Sequence, residues 1–200
     1  LGGVAILVKM TAAFMLAPVA VAVVLTVWGV KNAIRSRQVW AAAGMMVAIP
    51  LIYALAIGQR SADFIKFWVV DMSGLLLKPS FYFGWLALVR SLIDLGVILV
   101  ALAGVFLFSR SGRAIAAGLW GGFLVYGLCF PSQIHTHDYY NLPLVPIAAL
   151  SLAPVGAMVL EKIAAHKSFW RLAFTGLILL SIAYPTWLAR NSLVLQNYQS

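Results

Sequence analysis

The side chains best suited to chemistry lie in the segment 131–146, which reads PSQIHTHDYYNLPLVP. Five of them follow one another directly: His137, Asp138, Tyr139, Tyr140 and Asn141. Such side chains can hydrogen-bond the hydroxyls of a sugar or the oxygens of a phosphate. The free N–H groups at the start of the apolar helix that follows favour an anion. We therefore expect a substrate-binding site here, although an aromatic belt beside a solvated loop has the same composition.

A metal site in the same segment is a weaker interpretation. His135 and His137 are two residues apart, so their side chains would face the same way in an extended loop, and Asp138 would be a third ligand. Two His and one Asp without further ligands match a metal centre only weakly. We assign no metal ion and expect no cofactor.

Three cations are candidates to contact a substrate phosphate. Lys9 lies at the predicted outer end of its helix, where Lys is less common than at the inner end. The alternative is a Lys that anchors the helix at the membrane surface. Lys78 and Arg90 are further candidates. Because Arg90 and Asp94 are four residues apart on one predicted helix, an internal ion pair is the alternative interpretation for Arg90.

The elements that position these residues are those of a membrane protein. Apolar residue types make up 64% of the 200 residues, charged types 10%, and the mean hydropathy is +1.00. A soluble domain carries roughly 25% charged residues. This composition excludes a soluble enzyme, a disordered chain, a coiled coil and a disulfide scaffold. The net charge of +9 lies mostly in short connectors, which indicates membrane topology and not a nucleic-acid-binding face.

Six apolar stretches are long enough to cross a hydrocarbon core of roughly 30 Å, allowing for tilt. They are Ala12–Trp28, Val39–Ile57, Trp85–Phe108, Ala114–Phe130, Leu142–Leu160 and Leu172–Leu188. The connector 58–84 repeats apolar residues at steps of three and four, at Ile65, Trp68, Val69, Met72 and Leu76. This spacing predicts an amphipathic helix lying in the interface. The predicted fold is all-α: a polytopic transmembrane bundle of about six spanning helices plus that interfacial helix, forming a single transmembrane domain over residues 1–200.

The Lys and Arg residues predict the orientation of the bundle. Eight of the 14 lie in the connectors 29–38, 109–113 and 161–171, against four in the longer connectors 58–84, 131–141 and 189–200. By the positive-inside rule the first set is cytoplasmic, which puts the segment 131–141 on the outer face. The chain opens Leu1-Gly2-Gly3-Val4, without an initiator Met or a signal-peptide pattern,. We therefore expect it to be a piece of a larger membrane protein.

Three stretches resemble a known family. Residues 137–146 are similar to the "H-x-Y-Y-x-L-P-L-x-P" segment of bacterial membrane glycosyltransferases of the GT-C superfamily, in the branch related to protein O-mannosyltransferases and lipid A aminoarabinose transferases. Residues 1–18, with Lys9-Met10-Thr11-Ala12, resemble that branch's "L-x-L-x-K-x-T-A" break between two helices. Residues 78–83 resemble its "P-F-x-Y-Y" segment. The matches run from the first residues to about Pro146.

The resemblance implies transfer of a sugar from a polyprenyl-phosphate donor to a glycan, lipid or protein acceptor on the extracytoplasmic face. In this family a carboxylate in the first outer loop acts as the base. That loop precedes the matched region, so no residue here inherits the role and we expect the 200 residues to be inactive alone. Residues 76–78 lack the His that the aminoarabinose-type enzymes carry before "P-F", which argues against a metal-dependent mechanism.

The expected site residues are Lys9, Lys78, Arg90, His137, Asp138, Tyr139 and Tyr140. Lys9 and Arg90 would contact phosphate, the Tyr pair would contact the donor sugar or phosphate, and His137 and Asp138 would orient the substrate. The expected location is the bacterial inner membrane, with membrane lipid and the polyprenyl-phosphate donor as partners and no nucleic acid. A polytopic transporter or lipid flippase is the alternative, since it also needs polar groups at helix breaks. A non-catalytic scaffold is a third interpretation.

Overall fold

A computed structural model describes residues 11–57, 66–165 and 168–194 of the chain. These residues are helical nearly throughout and contain no strand, so the predicted all-α fold is confirmed. Eight α-helices are described: α1 (Thr11–Arg35), α2 (Arg37–Ile57), α3 (Pro79–Leu92), α4 (Leu95–Val105), α5 (Arg110–Cys129), α6 (Pro131–Thr136), α7 (Leu144–Ala164) and α8 (Ser168–Val194). A π-helical turn, Lys66–Val70, and two 3-10 helices, Asp71–Leu77 and Asp138–Asn141, complete the described elements.

Several helices are long and apolar enough to cross a membrane. Among the described residues, three helices are long and apolar enough: Ala12–Arg35, Arg110–Cys129 and Asp138–Ala164. A fourth span is present if the bent pair Asp71–Leu77 and Pro79–Leu92 crosses as one. Shorter apolar helices cover Leu95–Val105 and Phe169–Ser181. The chain is thus built as a helical membrane protein, while the number of spans and their orientation stay predictions.

Helices α1 and α5 pack closely through glycines. A Cβ atom on Gly118 would lie 2.5 Å from the Cα atom of Val19, and one on Gly122 would overlap the carbonyl oxygen of Phe14. Only a residue without a side chain lets two helix backbones approach this closely, as in small-residue contacts of membrane helices generally. Gly121, one position away, has nothing within 4 Å of such a Cβ. The contact between α1 and α5 is therefore made by the face of α5 that carries Gly118 and Gly122.

The predicted span Trp85–Phe108 is wrong, because the chain breaks within it. Helix α3 ends at Leu92, Ile93 is extended (φ −141°, ψ 130°), and α4 begins at Leu95. Asp94 is the N-cap of α4, and its side chain accepts a hydrogen bond of 2.7 Å from the backbone N–H of Gly96. Arg90 and Asp94 therefore do not share a helix. The carboxylate satisfies a free backbone donor instead of forming the ion pair within one helix that the spacing suggested.

The connector 58–84, predicted to contain an amphipathic helix, is helical in its described part, although not as one regular α-helix. Its described part is a π-helical turn and a 3-10 helix, and Pro79 then starts α3 at a bend of 88°. Proline suits this position because its fixed φ and missing N–H are tolerated in a first helical turn. The Tyr82 hydroxyl donates to the Leu76 carbonyl at 3.0 Å across the bend. Ile65 lies outside the described residues.

The chain divides into two compact units, Leu1–Val155 and Gly156–Ser200. The first contains the core, in which α3, α5, α6 and the start of α7 pack together. Its buried members are Phe81, Trp85, Val89, Phe123, Tyr126, Phe130, Ile134, Leu144 and Ile147. The second unit contains the end of α7 and all of α8, where the rings of Trp170 and Phe174 lie 6.1 Å apart.

Candidate functional site

The polar segment 131–141 is a compact turn, not an extended loop. Helix α6 ends at Thr136, His137 adopts an extended conformation (φ −132°, ψ 124°), and the 3-10 helix Asp138–Asn141 follows. Pro131 occupies the first turn of α6, where its missing N–H removes no hydrogen bond. The segment packs against α3 and the 3-10 helix Asp71–Leu77.

Asn141 holds the segment onto α3. Its side chain is fully buried, and its oxygen accepts a hydrogen bond of 2.8 Å from the indole N–H of Trp85. Its amide nitrogen donates to the carbonyls of Ile134, at 2.8 Å, and His137, at 3.4 Å. Asn141 was not among the expected site residues, and its polar atoms are bonded inside the protein, as a buried amide requires.

The structure brings together the four consecutive residues that the sequence singled out. The ring of His137 lies 5.4 Å from that of Tyr139 and 5.9 Å from that of Tyr140, both in edge-to-face contact. The two tyrosine rings lie 4.4 Å apart. The carboxylate of Asp138 accepts a 2.7 Å hydrogen bond from the N–H of Tyr139. These four residues, 137–140, are called the polar cluster below; its side chains are exposed except for the half-buried Tyr140.

His135 is separated from the polar cluster. It lies in the last turn of α6, its Nδ1 atom is 2.7 Å from the carbonyl oxygen of Pro131, and its ring packs edge-to-face on Phe81 at 5.5 Å. The premise that His135 and His137 face the same way is wrong because His135 is helical. Among the described residues, no group of three or more His, Cys, Asp or Glu side chains is placed to hold a metal ion.

Trp85, which bonds Asn141 directly after the polar cluster, also lines an apolar groove of about 350 Å³. The groove lies between α3, α4, α5 and the first residue of α7, and is lined by Tyr82, Trp85, Leu86, Val89, Leu95, Ile98, Trp120, Phe123, Leu124 and Leu144. Both tryptophans use their N–H groups elsewhere: Trp85 donates to Asn141 at 2.8 Å, and Trp120 donates to the Ser151 hydroxyl at 3.0 Å. The groove therefore presents hydrocarbon and ring surface, which suits an alkyl or isoprenoid chain.

The predicted cations are less closely grouped. Lys78 is exposed and precedes the first residue of α3, at the 88° bend. Arg90 is exposed in the last turn of the same helix, roughly 18 Å further along its axis at 1.5 Å per residue. The two cations therefore lie near opposite ends of α3. Lys9, the third, lies outside the described residues.

Sequence reasoning missed Thr136 and Trp85. The Thr136 hydroxyl donates to the Ser132 carbonyl and also lies 2.7 Å from Nδ1 of His137; its place directly before His137 was a signal in the sequence. Trp85 gave no such signal, because 56 residues separate it from Asn141. Gln133 is a further case, since among the described residues its buried Oε1 atom has no hydrogen-bond partner.

Comparison of the chain with protein-family models, with curated proteins and with solved structures gave no match.

Proposed function

We propose that the chain is part of a multi-pass bacterial inner-membrane glycosyltransferase of the GT-C type, which moves a sugar from a polyprenyl-phosphate donor to an acceptor on the extracytoplasmic face. One observation supports this most directly: the polar cluster ends at Tyr140, and the next residue, Asn141, accepts a hydrogen bond from Trp85, which lines the apolar groove. A lipid-linked sugar has the same two parts, a polar head and a long hydrocarbon chain.

The polar cluster suits the head of such a donor. His137 and Asp138 offer hydrogen-bonding groups, and Tyr139 is 53% exposed, so one of its faces is available to a sugar ring. Displacement at the sugar carbon needs stabilisation of the departing phosphate, which hydroxyl donors and cations provide. Tyr140 and Lys78 are the described candidates for that role, with Arg90 at the far end of α3 and Lys9 as a further cation.

The groove suits the isoprenoid chain. Trp85 lines it and also bonds Asn141, which directly follows Tyr140, while Leu144 lines it at the start of α7. An isoprenoid chain bound in the groove would therefore have one end close to the polar cluster. Burying apolar surface contributes about 25 cal/mol per Å², so a few isoprene units in the groove would contribute substantially to donor affinity.

The first experiment measures binding of polyprenyl phosphate to the whole chain in detergent, comparing wild type with Lys9→Ala and Tyr140→Phe. We expect each change to weaken binding, Lys9→Ala by about tenfold, or roughly 1.4 kcal/mol. Lys31→Ala, in a connector predicted to be cytoplasmic, and Tyr184→Phe, on α8, are the matched controls. Saturable binding that neither site variant alters would place the phosphate elsewhere.

A transporter or lipid flippase is the second candidate, favoured by the break at Ile93–Asp94 and the 88° bend before Pro79. Broken helices form the substrate sites of many transporters. The two candidates differ in product: reconstituted protein that translocates a lipid-linked sugar without cleaving it would favour the transporter, whereas a new glycosidic bond would favour the transferase.

A further inference from the structure

We propose that Thr136 holds His137 in the tautomer whose Nε2 atom is a hydrogen-bond acceptor, and that this acceptor binds a hydroxyl group of the donor sugar. The second half of this inference rests on the proposed function. Thr136 is then a positioning residue. His137 is a specificity-determining residue, because its acceptor binds the glycosylated lipid and gives no contact to the bare lipid phosphate.

The tautomer follows from the single hydrogen of the Thr136 hydroxyl. That hydrogen is donated to the carbonyl oxygen of Ser132, one helical turn earlier. The same hydroxyl oxygen lies 2.7 Å from Nδ1 of His137. Since its only hydrogen is used, the oxygen must accept in this second bond, and Nδ1 must carry the proton. A neutral imidazole protonated on Nδ1 has its lone pair on Nε2.

The surroundings of His137 leave that lone pair available. The side chain is exposed, and among the described residues Nε2 has no hydrogen-bond partner. The edge-to-face contacts with Tyr139 and Tyr140 orient the ring without using a nitrogen atom. A sugar has hydroxyl donors around its edge and an apolar face of C–H groups. An acceptor beside the half-exposed ring of Tyr139 matches both features.

A phosphate does not match this acceptor. A phosphate diester or dianion offers only acceptor oxygens near neutral pH. It therefore cannot form a hydrogen bond with the lone pair of Nε2, which is also an acceptor. The adjacent Asp138 carboxylate, an acceptor as well, has one oxygen bonded to the N–H of Tyr139. The His137–Asp138 end of the polar cluster therefore favours a hydroxyl-bearing group, and the phosphate is left to the Tyr hydroxyls and cations.

His135 is an internal reference for the tautomer. Its Nδ1 atom lies 2.7 Å from the carbonyl oxygen of Pro131, and a carbonyl can only accept, so this imidazole also carries its proton on Nδ1. The bond involves the backbone and not Thr136. A change at Thr136 should therefore alter His137 and leave His135 as it is.

The first test reads the tautomers by 15N nuclear magnetic resonance of the whole chain with labelled histidine, in lipid nanodiscs, at a pH where the imidazoles are neutral. The chain has three histidines, and His137→Gln assigns the relevant signal. In wild type we expect His137 to carry its proton on Nδ1. Thr136→Val should move part of that population to the Nε2–H form, Thr136→Ser should restore it, and His135 should not change. A His137 spectrum that is the same in wild type and Thr136→Val would overturn the positioning role.

The second test compares three probes bound by the same chain: polyprenyl phosphate and its mannosyl and glucosyl esters. We expect Thr136→Val to weaken binding of at least one sugar ester by about threefold to tenfold, the size of one hydrogen bond. Binding of the bare phosphate should not change, and Thr136→Ser should restore the sugar ester. Equal losses for all three probes, or no loss for any, would overturn the sugar contact.

Failure of the proposed function gives a different result. If wild type binds none of the three probes, the proposed function and the sugar contact are both rejected, while the spectra still decide whether Thr136 sets the tautomer of His137. If wild type binds all three and Thr136→Val binds them equally well, only the sugar contact is rejected.

Discussion

The indole N–H of Trp85 donates a 2.8 Å hydrogen bond to the side-chain oxygen of Asn141, and the two residues are 56 positions apart in the chain. Both are buried. This bond joins α3 to the turn that presents the polar cluster, and Trp85 also forms part of the wall of the apolar groove. The Trp85–Asn141 hydrogen bond therefore links the wall of the groove to the turn that presents the polar cluster, and mutations at these two residues test that link.

Removing the Asn141 side chain should destabilise the protein. Asn141→Ala leaves the buried N–H of Trp85 without an acceptor, which costs about 1–3 kcal/mol. Thermal unfolding in detergent, followed by circular dichroism, measures the loss, and Asn32→Ala at an exposed site on α1 is the control. A double-mutant cycle with Trp85→Phe isolates the pair. Additive effects of the two changes would contradict the bond.

Adding one methyl group to α5 should have opposite consequences at neighbouring positions. Gly122→Ala places its Cβ atom into the backbone of α1 at Phe14, so the helices must separate, at a cost of about 1–3 kcal/mol. Gly121→Ala meets open space and should be neutral or slightly stabilising, because Ala favours a helix over Gly. Equal decreases in the unfolding temperatures of the two variants would disprove the close packing of α1 on α5.

The Asp94 carboxylate should act as a helix cap and not as an ion-pair partner. Asp94→Ala removes the acceptor for the Gly96 N–H and should cost about 0.5–2 kcal/mol, whereas Asp94→Ser retains an acceptor and should recover most of this. Arg90→Ala combined with Asp94→Ala should give additive losses of unfolding free energy. A coupling well above 0.5 kcal/mol would instead indicate an interaction between the two charges.

Filling the apolar groove should reduce the affinity for long lipid chains. Ile98 lines the groove, so Ile98→Trp should weaken binding of a long polyprenyl phosphate by about tenfold while leaving binding of a short, water-soluble phosphate ester unchanged. Leu99, its neighbour on α4, is 67% exposed and lies outside the groove lining, which makes Leu99→Trp the matched control. Equal effects of both tryptophans on the long chain would show that the groove does not hold it.

Much of the architecture was predictable because each membrane helix corresponds to one continuous apolar run in the sequence. Apolar runs of about 20 residues follow from the bilayer thickness and from the need to satisfy every backbone group within the helix. The runs around α1, α5 and α7 predicted helices that the structure contains, and even the end of the first apolar run at Trp28 coincides with a kink, at Gly29, where φ is +74°. The polar cluster was predictable for a similar reason, since its four residues are consecutive.

The tertiary structure alone decided which polar groups remain available. Asn141 and Tyr140 are neighbours in the sequence, yet Asn141 is buried and bonded to Trp85 while Tyr140 stays half exposed. His135 and His137 differ in the same way, because one packs on Phe81 and the other on two tyrosines. The groove is formed by side chains of four helices. Hydrophobic periodicity reports which residues avoid water, but the pairing of distant residues depends on how helices pack, and that information is not local.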